Sequence, residues 1–177
     1  MSYYLDTNVI IQLVDLPYET QKLAELHNSS TIKLLLAREA MYELTEGPEV
    51  SQENQIKNRR VVDILGLSTT PNNIFQLDKG ILGETILGTD QSHYLYESHL
   101  ENKGNPSKAM SDGVHLANSQ ALGAIFVSCD GQPRSTARIH NLDKECLIDL
   151  FSSLEIDTTA VKSCKKCLKL EIPSTRS

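Results

Sequence analysis

The chain has 177 residues, 40% of them hydrophobic and 23% charged, and a formal net charge of −6. That length suits one domain with a substantial core, and no apolar run approaches the roughly 18 residues needed to span a bilayer. The acidic balance argues against a general nucleic-acid coat protein, whose domain is normally basic, but leaves room for an enzyme that meets phosphate through a bound metal.

Met1 is followed by no basic stretch and apolar core of a leader peptide, and four cysteines do not make a disulfide scaffold at this length. A reduced, cytoplasmic protein is the expectation. A short buried strand starts almost at Met1 and stops at Asp6. Asp6-Thr7-Asn8 then turns the chain into a helix over Val9 to Val14, with Asn8 as the expected N-cap. Pro17 ends or kinks that helix, and Tyr18 to His27 read as a second one. Ile32 to Ala37 is a nearly continuous apolar run, long enough for a buried strand. Arg38 to Glu46 turns helical until Gly47-Pro48. Polar Glu49 to Arg60 reads as a loop or a solvated helix, and Val61 to Leu67 as the end of a helix.

Residues 68–75 are turn-rich, with a short strand expected over Ile74 to Leu77. Thr89-Asp90 caps an expected helix to about Glu101. Ser107 to Leu122 is the clearest helix, with Val114, Ala117 and Ala121 on one face and Gly123 as its stop. Ala124 to Cys129 reads as a third strand ending at Asp130-Gly131, and Lys144 to Leu154 as an amphipathic helix. The alternation of strand and helix indicates an α/β protein, a three-layer α/β/α sandwich around a mainly parallel sheet. The expected organisation is a domain over residues 1–157 and a basic tail over 158–177, where five basic residues face Glu171 alone.

Four acidic residues recur at comparable places: Asp6 ends the first strand, Glu43 lies in the helix after the second, Asp112 in the first turns of the long helix, and Asp130 ends the third strand. In a parallel sheet these positions share one edge, so the four carboxylates can converge. Converging carboxylates repel unless cations sit between them, and oxygen-only ligation suits Mg²⁺ or Mn²⁺. The implied chemistry is metal-assisted phosphodiester hydrolysis. Each residue alone has an ordinary explanation: Asp112 complements the helix dipole, and Glu43 is a solvated helix residue.

Leu5-Asp6-Thr7-Asn8-Val9-Ile10, Met41-Tyr42-Glu43-Leu44, Ser111-Asp112-Gly113-Val114-His115-Leu116-Ala117 and Ile125-Phe126-Val127-Ser128-Cys129-Asp130 resemble, in order and spacing, the four motifs of PIN-domain nucleases. The resemblance covers roughly residues 3–150. It implies a compact α/β/α fold and Mg²⁺- or Mn²⁺-dependent cleavage of RNA. Asp6, Glu43, Asp112 and Asp130 would be the metal-binding carboxylates, and Thr7, Asn8 and Ser128 the polar residues that orient them. Arg38, Arg134, Lys165 and Lys166 are candidates for receiving the RNA backbone. A chain this short resembles the toxin component of bacterial toxin–antitoxin pairs, which implies a small inhibitory protein partner and a homodimer. The chain departs from the family in Gln52 to Arg60 and from Pro133 onward, which are longer or more polar than a minimal PIN domain needs.

A non-catalytic PIN-like module that binds RNA or a protein is the second reading. A haloacid-dehalogenase-type phosphatase also begins with an Asp after its first strand, but needs a second Asp where this chain has Asn8. Cys164-Lys165-Lys166-Cys167 has metal-ligand spacing without a second pair, leaving a zinc-bridged dimer or no function. Cys129 and Cys146 read as core fillers. His93, His99, His115 and His140 have no triad-like partner, and His115 reads as a helix-surface residue one turn after Asp112. Tyr94 and Tyr96 share a helix, where either could stack on a base.

Overall fold

The computed structural model describes residues 1–48, 50–67, 69–70, 106–130 and 144–161, with residues 106–112 placed as helical backbone. The expected Ile74–Leu77 strand, the helix after Asp90, His93, Tyr94, Tyr96, His99, Arg134, His140 and the Cys164/Cys167 tail with Lys165 and Lys166 all lie outside the described residues.

β1 (Ser2–Leu5) leads into α1 (Thr7–Leu13) and α2 (Pro17–Asn28). β2 (Lys33–Ala37) leads into α3 (Arg38–Thr45) and α4 (Gln52–Leu65). β3 (Thr69–Thr70), α5 (Pro106–Ala121), β4 (Ile125–Val127), β5 (Lys144–Glu145) and α6 (Leu147–Ser153) follow. The five strands form one sheet in the order β3-β2-β1-β4-β5, and every pairing is parallel. Helices α1 to α4 pack on one another, while α5 packs on β4 and α6 on β5. The result is the expected α/β/α sandwich.

The apolar runs make the core. Tyr3, Tyr4 and Leu5 of β1, Leu34 to Ala37 of β2, and Phe126 and Val127 of β4 are all buried. Such strands, covered on both faces, read as continuous apolar stretches rather than as alternation. The helix faces follow: Val9, Ile10 and Leu13 of α1, Ala40 and Leu44 of α3, and Val61, Val62 and Leu65 of α4 join the same cluster.

Several expectations need correction. Asp6, not Asn8, is the N-cap of α1, its carboxylate accepting from the Thr7 N–H. Helix α1 ends at Leu13, shortly before Pro17 as expected, and Pro17 itself opens α2 one residue earlier than expected, because its missing N–H is not needed there. Of the two alternatives for Glu49 to Arg60, the solvated helix is the one found: it runs over Gln52–Leu65 and is capped by Ser51, whose hydroxyl accepts from the Asn54 N–H. That helix ends at Gly66 in the left-handed region, φ 65°, where glycine avoids the Cβ penalty. Thr69–Thr70 is a strand within the turn-rich stretch, paired with Leu36 and Ala37.

Lys144 and Glu145 are strand, not helix. Helix α6 starts only at Leu147, through a capping box in which the Cys146 Sγ accepts from the Asp149 N–H and the Asp149 carboxylate accepts from the Cys146 N–H. Cys146 is therefore a cap as well as a core residue, and burial pushes its thiol up to about 11. Cys129 is half-buried against the core. Ala121 is exposed, whereas residues 113–119 of α5 are all buried, so that helix is enclosed on every side for two turns. No helix among the described residues is long and apolar enough to cross a membrane.

Candidate active site at the carboxyl ends of β1 and β4

From β1 the chain proceeds one way through β2 to β3, and β4 and β5 lie on the other side. The connections therefore diverge between β1 and β4, and in open α/β sheets the crevice outside the carboxyl ends at such a point is where ligands bind. Asp6 and Ser128 are the first residues beyond those two strands. The ladder runs on through them: the Asp6 N–H donates to Val127 O at 3.0 Å and the Ser128 N–H to Glu145 O at 3.1 Å.

Asp6 is only 2% exposed, and a buried carboxylate is tolerable only if its lone pairs are satisfied. Here four donors satisfy them. Oδ1 accepts from the Thr7 N–H at 2.7 Å and from Thr7 Oγ1 at 3.2 Å. Oδ2 accepts from Asn8 Nδ2 at 2.6 Å and from Ser128 Oγ at 2.7 Å. Charge-assisted bonds of this length are the strong ones. Asn8 also donates to Ser128 Oγ at 3.2 Å and accepts from the Cys129 N–H at 2.9 Å. That last bond fixes which way the amide points, with its NH₂ toward the carboxylate. The Asp130 N–H donates to Ser128 Oγ at 3.0 Å, which brings Asp130 onto the same network.

Glu43 reaches the rim by a different route. Its Oε2 stands 3.8 Å from His115 Nε2, the imidazole being 1% exposed and the carboxylate side chain 35%. That separation is an ion-pair contact rather than a hydrogen bond. The other ring nitrogen, Nδ1, is 3.1 Å from the Tyr4 hydroxyl, and Tyr4 lies on β1 two residues before Asp6. Burial alone would lower the His115 pKa. The Glu43 contact and the charges of Asp6, Glu43 and Glu39 together outweigh it and lift the imidazole to about 9. Burial likewise holds the Tyr4 phenol far above its ordinary value, with Asp6, Glu39 and Glu43 adding to the rise and Asn118 opposing it.

Of the proposed residues, Asp6 is bonded to Ser128 through its carboxylate and Asp130 through its backbone N–H, and Glu43 is coupled to β1 through His115 and Tyr4. Asp112 lies on α5 three residues before His115, a spacing that puts two residues on one helix face. Arg38 opens α3 directly after β2, on the same edge of the sheet, and is exposed. Among the described residues no three His, Cys, Asp or Glu side chains stand close enough together to hold a metal ion.

His115 is where the sequence reading misplaced a residue: it is buried, not on the helix surface. Its neighbours Val114, Leu116 and Ala117 point to different sides of the helix, and apolar residues all round mark a helix enclosed on all sides. Glu39, one turn before Glu43 and 8% exposed, was also missed.

No protein-family model matches the chain, and no curated protein is significantly similar to it in sequence. Its fold is similar to that of a chain in the crystal structure of VapBC2 from Rickettsia felis bound to a DNA fragment from their promoter. The TM-score is 0.52 at 18% identity, over 82% of this chain and 98% of that one. A chain in the structure of VapBC-1 from nontypeable Haemophilus influenzae aligns over the same shares at 18% identity, with a TM-score of 0.47. The fold expected from the four motifs, PIN-like, is the one the chain has.

Proposed function

We propose that the protein is a metal-dependent endoribonuclease, with a site at the carboxyl ends of β1 and β4. The observation that carries this reading is Asp6: a buried carboxylate at a topological switch point, oriented by Thr7, Asn8 and Ser128. A side chain locked in one orientation by supporting hydrogen bonds is what a preorganised reaction site requires.

The donor chemistry fits Mg²⁺ or Mn²⁺. All four candidates, Asp6, Glu43, Asp112 and Asp130, offer hard oxygens, and Mg²⁺ is usually held by one or two carboxylates with water and substrate phosphate filling the rest. A complete protein cage is not required. The bound ion would polarise the phosphate and lower the pKa of an attacking water. Asp6 is held in register for that role by the Asn8 and Ser128 bonds, and the longest of its four bonds, from Thr7 Oγ1 at 3.2 Å, is the one a cation displaces at least cost. Arg38, with Arg134, Lys165 and Lys166, would receive the RNA backbone. As the resemblance to toxin components implies, a small protein partner would hold the enzyme inactive, and a cytoplasmic homodimer is the assembly that goes with this reading.

One observation favours a second reading, a PIN-like module that binds RNA or protein without cutting. Asp6 already accepts four hydrogen bonds, the full capacity of a carboxylate. The two readings separate in one assay with a generic single-stranded RNA in Mg²⁺, Mn²⁺ and EDTA. The nuclease cuts only with metal, and Asp6→Asn and Asp112→Asn abolish the cut. RNA retained intact with metal present makes the chain a binding module. Mn²⁺ should also raise the melting temperature of the wild type, and not that of Asp6→Asn.

A further inference from the structure

We propose that His115 is a positioning residue for Glu43: its ring, seated between Tyr4 of β1 and Glu43 of α3, fixes where that carboxylate stands relative to Asp6. The inference rests on the nuclease reading above for its functional meaning, but its geometry stands by itself. Three elements far apart in sequence meet at one imidazole. Nδ1 faces the Tyr4 hydroxyl at 3.1 Å and Nε2 faces Glu43 Oε2 at 3.8 Å.

The ring is a fixed object. It is fully enclosed in the two buried turns of α5, and the Tyr4 ring stands tilted at 50° to it, 6.0 Å between centroids. Tyr4 is in turn packed on Phe126 of β4 at 6.3 Å. Glu43 is not fixed by burial, since about a third of its side chain is exposed, and a glutamate in that setting loses considerable rotamer entropy if it is to hold one position. A buried imidazole with a polar edge offers it one place to stand. The path runs Asp6, Leu5, Tyr4 along β1, then His115, then Glu43, so two candidate ligands are joined through one strand and one ring. Burying a histidine for packing alone is costly when leucine fills a similar volume; the polar edge toward Glu43 gives the histidine a reason to be there. Partners that orient a metal's ligands typically change metal affinity about 10–100-fold when removed.

The test uses the full chain and Mn²⁺ alone, with free Mn²⁺ read by electron paramagnetic resonance, beside steady-state cleavage of a short RNA. His115→Leu should weaken Mn²⁺ binding about 10-fold or more and lower kcat while KM for RNA stays near the wild-type value. His115→Gln, which keeps a donor, should recover part of the loss. In a metal-free sample, ¹⁵N resonances of the His115 ring should shift when Glu43→Gln is introduced. Wild-type Mn²⁺ affinity in His115→Leu, or ring resonances unmoved by Glu43→Gln, overturns the proposal. If His115→Leu does not fold, Tyr4→Phe takes its place, keeping the ring contact and removing the hydroxyl, with the same loss expected. A wild type that neither binds Mn²⁺ nor cuts RNA removes the nuclease reading, and the ring resonances then decide the positioning role alone.

Discussion

The two halves of the rim are built differently. On the β1–β4 side, Asp6, Asn8 and Ser128 are locked by bonds of 2.6 to 3.2 Å among residues at the ends of adjacent strands. On the α3 side, Glu43 has a 3.8 Å ionic contact and a side chain about a third exposed. The first half is rigid whatever binds there; the second depends on α3 and α5 holding their places. A site so divided aims one carboxylate through short bonds at adjacent strand ends and places the other through an enclosed ring carried by a helix.

The largest expected effect comes from breaking the rigid half. Asp6→Asn should lower metal-dependent cleavage by at least about 100-fold, since the carboxylate proposed to hold the metal is replaced by a neutral amide. It should also destabilise the fold by about 1–3 kcal/mol, because the new NH₂ meets the donors of Asn8, Ser128 or Thr7. Glu43→Gln tests the contrast: a loss of activity with little change in urea stability is expected on the α3 side. Equal stability losses in the two variants would erase the distinction.

Ser128→Ala removes the hydroxyl that donates to Asp6 and accepts from the Asp130 N–H and Asn8. Taking one donor from the buried Asp6 carboxylate and the hydroxyl acceptor from the Asp130 N–H should cost about 1–3 kcal/mol in urea unfolding, with a smaller drop in activity than Asp6→Asn. Gly47→Ala probes the other side from behind. A Cβ there would lie 2.8 Å from the Glu43 carbonyl oxygen, so α3 must shift, at about 1–3 kcal/mol. Cleavage should fall with it if Glu43 must be held in place, and unchanged cleavage at reduced stability would show that the site tolerates movement of α3.

The smallest effect is a control away from the rim. The folded protein keeps the Cys146 thiol protonated up to about pH 11, above its ordinary value near 9. Between those two values the folded state binds more protons than the unfolded one, so stability present below pH 9 is lost as pH rises toward 11. Cys146→Ser keeps an N-cap oxygen and does not titrate there, so its melting temperature should fall less steeply over that window. Parallel curves for the two proteins would contradict the thiol's role.

The rigid half was legible in the sequence because it is local. Asp6-Thr7-Asn8 and Ser128-Cys129-Asp130 each sit at a strand end, and once the strands pair in parallel their short side chains have little choice of partner. Even so, the cap was assigned to Asn8, since either residue type can cap a helix and only the register of β1 against β4 draws Asn8 across to Cys129. The short strands β3 and β5 were missed for a related reason: two residues carry no alternation, and Lys144-Glu145 is polar enough to pass for a helix start. Cys146 concealed the true start of α6, as a thiol is a rare cap.

By itself the sequence determined the layered α/β architecture, the buried strands and the place of Asp6, Ser128 and Asp130 at one edge, because apolar runs and strand-terminal polar residues act over a few positions. Only the tertiary structure decided that His115 is enclosed and faces both Tyr4 and Glu43. Burial of a histidine is a property of what packs on every side of its helix, and those neighbours come from β1 and α3, about 70 to 110 residues away along the chain.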